Sequence, residues 1–115
     1  MSLAEIARKL QFDVMSGEES LTCEIRGGYA SDLISDVIAN AQEGDLWVTL
    51  QTHQNTVAVA SMKDLAGIVF VNGRQPDEDT LEKAKEENIP LMVSDLPSFE
   101  LIGRLYELGI RGVNA

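Results

Sequence analysis

Side chains able to do chemistry concentrate in three short segments, Gln51-Thr52-His53-Gln54-Asn55, Asn72-Gly73-Arg74-Gln75-Pro76 and Ser94-Asp95-Leu96-Pro97. Within them Thr52, His53, Asn55, Asn72, Gly73 and Arg74 are the candidate ligand-binding residues. His53 is the single histidine, and imidazole is the side chain whose ordinary titration falls near neutrality, so it suits a general acid or base or a pH-sensitive hydrogen bond. Its plainer role is to cap a helix or bond a backbone group in a loop. Arg74 offers a permanent planar cation matched to a phosphate or carboxylate. Gly73 fits a turn with positive φ, or a backbone that must come close to a ligand. No nucleophile is paired by spacing with a base and an orienting carboxylate, so no catalytic residue is assigned.

Other chemistries find little purchase. One histidine and one cysteine, Cys23, with no CxxC or HExxH spacing, leave no metal site within the chain. Cys23 has no second cysteine to pair with and falls among Leu21 and Ile25, where it reads as a small packed hydrophobe. Gly27-Gly28-Tyr29 matches neither GxGxxG nor GxxxxGK[ST], so no cofactor is expected from it. Tyr29 and Trp47 read as core or rim aromatics. Nineteen acidic against nine basic side chains give a formal charge of -10, which repels phosphate backbones and anionic lipid within a Debye length of about 8 Å. With the basic residues scattered, no nucleic acid or membrane partner is expected, although one or two arginines still suffice for a local anion pocket. The first ten residues lack a signal-peptide apolar run, and no 18-residue apolar stretch occurs, so a cytoplasmic location is the expectation.

The elements that must position these residues follow from hydrophobic periodicity. A chain of 115 residues with 44% hydrophobic and 24% charged residues has the size and composition of one globular domain over residues 1–115. Ser2 and Glu5 have capping-box spacing ahead of Leu3, Ile6, Ala7 and Leu10, which predicts a first helix. Phe12 with Val14, then Leu21, Cys23 and Ile25, alternate as two strands around Ser16-Gly17-Glu18-Glu19. They form a hairpin or flank the main sheet, and Gly27-Gly28 ends the second. Ser31 then caps a helix whose apolar face is Leu33, Ile34, Val37, Ile38 and Ala41, closed by Gly44.

Leu46 to Leu50, Gly67 to Val71 and Leu91 to Val93 are nearly continuous apolar runs of strand length, as in a parallel sheet covered on both faces. Thr56 to Met62 between the first two reads as a crossover helix, apolar almost all round. Its second apolar side predicts contact with another subunit, hence a homodimer. A charged crossover helix precedes Ile89-Pro90, and a last helix carries Phe99, Ile102, Leu105, Tyr106 and Leu108 to Gly109. Ile110 to Ala115 is a short strand or a tail. The order predicts an α/β fold, a mostly parallel sheet with crossover helices on both faces. The three polar segments then sit at the carboxyl ends of the strands, the usual ligand side of such sheets.

The run from Trp47 through Thr52-His53-Gln54-Asn55 to Ser61, with Ala66 to Pro76 and Ile89 to Ser94, resembles the DRTGG domain family over about residues 4 to 110. Thr52 and His53 stand where the family has Asp-Arg, and Val71, Asn72 and Gly73 stand for Thr-Gly-Gly, so that Gly73 alone matches. The resemblance implies a DRTGG-like three-layer domain and a regulatory or accessory module. Such modules occur alone, beside CBS domains in inorganic pyrophosphatases and ahead of catalytic domains in phosphotransacetylases, and a related arrangement begins HPr kinase. The expected function is therefore a non-catalytic regulatory or interaction module. It would be homodimeric, binding a partner protein or sensing a small anionic ligand such as a nucleotide at the strand-end loops. The alternatives are a small enzyme using His53 as acid or base with Arg74 anchoring an anionic substrate, and a structural subunit of a larger metabolic complex.

Overall fold

A computed structural model of the chain describes residues 1–112. Five strands form one sheet in the order β1-β5-β4-β3-β2: β1 is Asp13–Ser16, β2 Gly27–Ala30, β3 Asp45–Thr49, β4 Gly67–Phe70 and β5 Leu91–Val93. Strands β2 to β5 run parallel, and β1 closes one edge antiparallel to β5. The helices are α1 (Leu3–Lys9), α2 (Ile34–Asn40), α3 (Asn55–Lys63), α4 (Glu78–Glu87) and α5 (Ser98–Glu107).

Period-two alternation along the buried strands sorts the core into two layers. Leu46, Val48, Val69, Val71 and Met92 pack with Leu3 and Ile6 of α1 and Leu101 and Leu105 of α5. Trp47, Ile68, Phe70, Leu91 and Val93 pack with Val37 of α2, Val57 and Ala60 of α3, and Ala84 of α4. The mostly parallel sheet with helices on both faces is thus the predicted α/β class. Trp47 is 0% exposed, and its indole Nε1 donates to Ser31 O at 2.8 Å, which satisfies the polar end of a core aromatic.

The capping box at Ser2 and Glu5 is present, as are β3, β4 and β5 and the crossover helix α3. Leu21 to Ile25 is not the predicted strand. A 3-10 turn covers Glu18–Ser20, and the following residues pair only with the amino terminus, through Leu3 N to Cys23 O at 3.0 Å and Ile25 N to Met1 O at 3.1 Å. Their partner segment turns helical at Leu3, so a ladder has nowhere to extend. Cys23 is half-buried against the α1–α5 layer, and that burial raises its thiol pKa.

Gly27-Gly28, read as a break, is instead the start of edge strand β2. A Cβ on Gly27 would lie 2.8 Å from Arg111 O and 2.9 Å from Asp45 Oδ1, so the glycine permits a close approach of chain segments rather than interrupting a strand. The two early strands make no hairpin, because β1 and β2 lie at opposite edges.

Helix α2 stops at Asn40, four residues short of Gly44, and only Val37 along it is fully covered. Leu33 is 64% exposed and Ile38 is exposed as well. The second covered side of α3 is supplied by its neighbours: α2 and α4 both pack against it, leaving Ala58 and Met62 outward. The buried second side of α3 is thus accounted for within the chain, and its outward surface is the separate patch around Met62. On α5, Leu101 and Leu105 are buried and Ile102 half-buried, whereas Phe99 is 90% exposed and Tyr106 46%. Ile110 to Gly112 form no strand of their own, but Arg111 O accepts the Gly28 amide at 2.9 Å along the β2 edge. The rest of that predicted strand or tail, 113–115, lies outside the described residues.

Candidate functional site

The loops that leave the carboxyl ends of β2, β3, β4 and β5 meet at one end of the sheet and are bonded to one another. After β4, Asn72 and Gly73 both have positive φ, 57° and 67°, and Arg74 N donates to Val71 O at 3.1 Å. This is the Asn-Gly turn geometry that requires two left-handed residues in succession, where glycine meets no steric cost. Asn72 N donates to Leu96 O at 3.0 Å and Gly73 N to Ser94 O at 2.8 Å, which locks the turn to the β5–α5 loop.

The β3–α3 loop is tied in by Thr52. Its hydroxyl donates to Asp77 Oδ1 at 3.1 Å, while its carbonyl accepts from Thr80 Oγ1 at 2.7 Å and from Asp77 N at 3.2 Å. Arg74 reaches the same loop, with one guanidinium nitrogen donating to Leu50 O at 3.2 Å. Among the described residues no carboxylate pairs with Arg74, and its side chain is exposed.

His53 and Asn55 are exposed at the amino end of α3. The imidazole Nδ1 accepts the Asn55 amide at 3.4 Å, and the His53 carbonyl takes the Thr56 hydroxyl at 2.7 Å. Thr56 N donates to His53 O, and Val57 N and Ala58 N donate to Gln54 O. The first-turn amides of α3 are thus committed within the chain, so this helix start lacks the free donors that make an anion site. His53 thus bonds the first amide of α3, and among the described residues no carboxylate hydrogen-bonds to its ring.

Sequence spacing missed Asp32. Its Oδ1 accepts the Thr49 hydroxyl at 2.8 Å and the Leu50 amide at 2.7 Å, which fastens the β2–α2 loop to the end of β3. Its position two residues beyond a strand end would have been the signal, but β2 itself was not legible. Asp77, the residue before α4, is likewise absent from the candidates. Beside Arg74 the four loops therefore carry Asp32, Asp77 and Asp95, and α4 begins with Glu78 and Asp79. One cation in that acidic setting neutralises about one negative charge. Among the described residues no group of three His, Cys, Asp or Glu side chains is arranged to hold a metal ion, and no helix is long and apolar enough to cross a membrane.

The fold is a mixed α/β domain, a five-stranded, mostly parallel sheet with helices on both faces. No family model matches the chain, and no curated protein matches it. Among solved structures it is similar to the CBS and DRTGG domains of the regulatory region of Clostridium perfringens pyrophosphatase, complexed with the activator diadenosine tetraphosphate. The likeness has a TM-score of 0.67 at 18% sequence identity and covers 98% of this chain and 51% of that one. The chain thus spans about half the length of the structure it resembles.

Proposed function

We propose that this chain is a regulatory module that senses a small anionic ligand at its strand-end loops, with Arg74 as the anion contact and Thr52, Asn72 and Gly73 shaping the surface around it. The observation that carries the reading is an exposed guanidinium held at the sheet end by Leu50 O and left without a carboxylate partner among the described residues, in a chain of charge -10. An unpaired arginine fixed by one backbone bond keeps its remaining donors for a phosphate or carboxylate. The fold it shares with a regulatory region complexed with a nucleotide activator supports the same role. The acidic neighbours favour a ligand that presents one anionic group here over a compact polyphosphate. His53 and Asn55 border the site and contribute shape rather than acid–base chemistry.

Thermal unfolding against a panel of nucleoside monophosphates, polyphosphates, acyl phosphates and organic acids tests the proposal. A ligand at 100 times its Kd that binds only the native state adds about 2.7 kcal/mol. The expected result is a shift produced by a singly presented anion and abolished by Arg74→Ala. Absence of a shift with every compound would end the ligand-sensing reading and leave a protein-interaction module.

The module is further proposed to act as a homodimer through the outer side of α2 and α3. Lys63 Nζ donates to Ile38 O at 2.8 Å, which joins the two helices where Ile38 and Met62 are both exposed. Sedimentation equilibrium at rising concentration should show a dimer that Met62→Lys dissociates. A monomer at every concentration would remove this part.

A further inference from the structure

A cleft separate from the strand-end loops opens beside the β2 edge of the sheet. Strand β2 has β3 as its one sheet neighbour, and Ser31 N donates inward to Val48 O. By strand alternation the amides of Gly28 and Ala30 face the other way. Gly28 N is taken by Arg111 O at 2.9 Å. On the α1–α5 side of this edge lies a half-open cavity of about 280 Å³ with an almost wholly apolar lining. Gly28, Ala30 and Val48 form its floor, and Ile102, Leu105 and Tyr106 of α5 its wall. One charged group stands at its rim, the guanidinium of Arg111. It lies 4.5 Å from the Tyr106 ring centroid. One of its nitrogens donates to Tyr106 O at 2.6 Å, and no carboxylate among the described residues pairs with it.

We infer that the cleft between β2 and α5 binds a small amphipathic carboxylate, a single aromatic ring or branched chain in the cavity with its acid group on the Arg111 guanidinium. The size fits: a cavity of about 150 Å³ lined by apolar side chains already admits benzene. The polarity fits as well, since pockets for small ligands are apolar with a few convergent polar groups. Charge selects among occupants. The cation at the rim favours an acid over a neutral or cationic molecule of the same shape. The site shares no residue with the Arg74 loops, so it stands or falls independently of them.

The test uses the whole chain and 3-phenylpropionate as probe, with 3-phenylpropionamide as its neutral match, followed by amide-resolved NMR titration. The expected result is saturable movement of the Ala30, Leu105 and Arg111 signals by the acid, with the amide binding at least about tenfold weaker. Arg111→Gln should weaken the acid by a similar factor toward the level of the amide, Ala30→Phe should block both, and Arg74→Ala should leave both unchanged. Dispersion of the variant spectra checks that Ala30→Phe still folds, and Arg111→Gln carries the test if it does not. Equal binding of acid and amide, movement confined to other residues, or no saturation at millimolar concentration would overturn the inference. So would an Ala30→Phe variant whose sole effect is to split a dimer, which would make the cleft a self-interface.

Discussion

Replacing Asp32 with alanine removes the acceptor that fastens the β2–α2 loop to the end of β3. Two bonds are lost to one carboxylate oxygen, from Thr49 Oγ1 at 2.8 Å and Leu50 N at 2.7 Å. Hydrogen bonds to a charged group contribute about 1.5 to 3 kcal/mol net when their partners are buried, and less where water can replace them. Thr49 is 2% exposed, so its hydroxyl loses most of that amount. Leu50 is only half-buried, and solvent recovers much of its bond. The expected loss is about 2 kcal/mol, which for a domain of this size lowers Tm by roughly 8 °C. Asp32→Asn, which keeps an acceptor without the charge, should lose about half as much. Urea unfolding with an unchanged m-value, joined to hydrogen exchange at the Leu50 amide, measures both the total and its local origin. A loss below about 0.5 kcal/mol in Asp32→Ala, the range of an ordinary surface substitution, would refute the reasoning. Leu50 exchange that keeps its wild-type protection would refute it equally.

Gly27→Ala should destabilise the chain by about 1 to 3 kcal/mol, because its Cβ would meet Arg111 O at 2.8 Å and Asp45 Oδ1 at 2.9 Å. Loss of exchange protection at the Gly28 amide should accompany it, and a stability equal to wild type would contradict the close approach. Asp45 is 3% exposed, and burial holds its carboxyl above the ordinary range although Gln42 N donates to it at 2.8 Å. The native state therefore binds this proton more tightly than the unfolded chain, and the group's contribution falls as pH rises from the ordinary carboxylate range through the raised native value. Asp45→Asn keeps an acceptor and cannot titrate, so its stability relative to wild type should grow across that window and level off above it. Parallel pH profiles of the two proteins would contradict that. Tyr29 donates its hydroxyl to Asp36 Oδ2 at 2.8 Å, and this bond lowers the Asp36 carboxyl. Stability from it is present above the ordinary carboxylate range and lost as pH falls through the lowered native value. Tyr29→Phe should flatten that part of the acid unfolding curve, measured by circular dichroism, and an unchanged curve would rule the pair out.

The apolar runs at Leu46, Gly67 and Leu91 fixed three central strands in advance, since a strand buried on both faces has to be apolar nearly throughout. Helices α3 and α4 followed from what must connect such strands, and α5 from its own apolar spacing. Their loops could then be placed at one end of the sheet, because parallel strands put all their carboxyl ends there. The edges were less legible. At β2 the residues are Gly-Gly-Tyr-Ala, with neither apolar alternation nor β-branching, and what makes them a strand is pairing to β3 and the Arg111 carbonyl, both distant in sequence.

The same division holds for the site. Residue types and strand-end position nominated Thr52, His53, Asn55, Asn72, Gly73 and Arg74 as candidates, and the Asn-Gly pair announced its own turn. The bonds they make depend on contacts between loops far apart in the chain: Arg74 on Leu50 O, Thr52 on Asp77, and the α3 amides on the His53 and Gln54 backbone. Periodicity and local propensity act over a few residues, so the sequence by itself determined the layer order and the identity of the buried strands. Which donors are spent and which remain free, where Asp32 attaches, and that a cleft opens between β2 and α5 were decided by tertiary packing, because each is set by the distance between segments that only the closed sheet brings together.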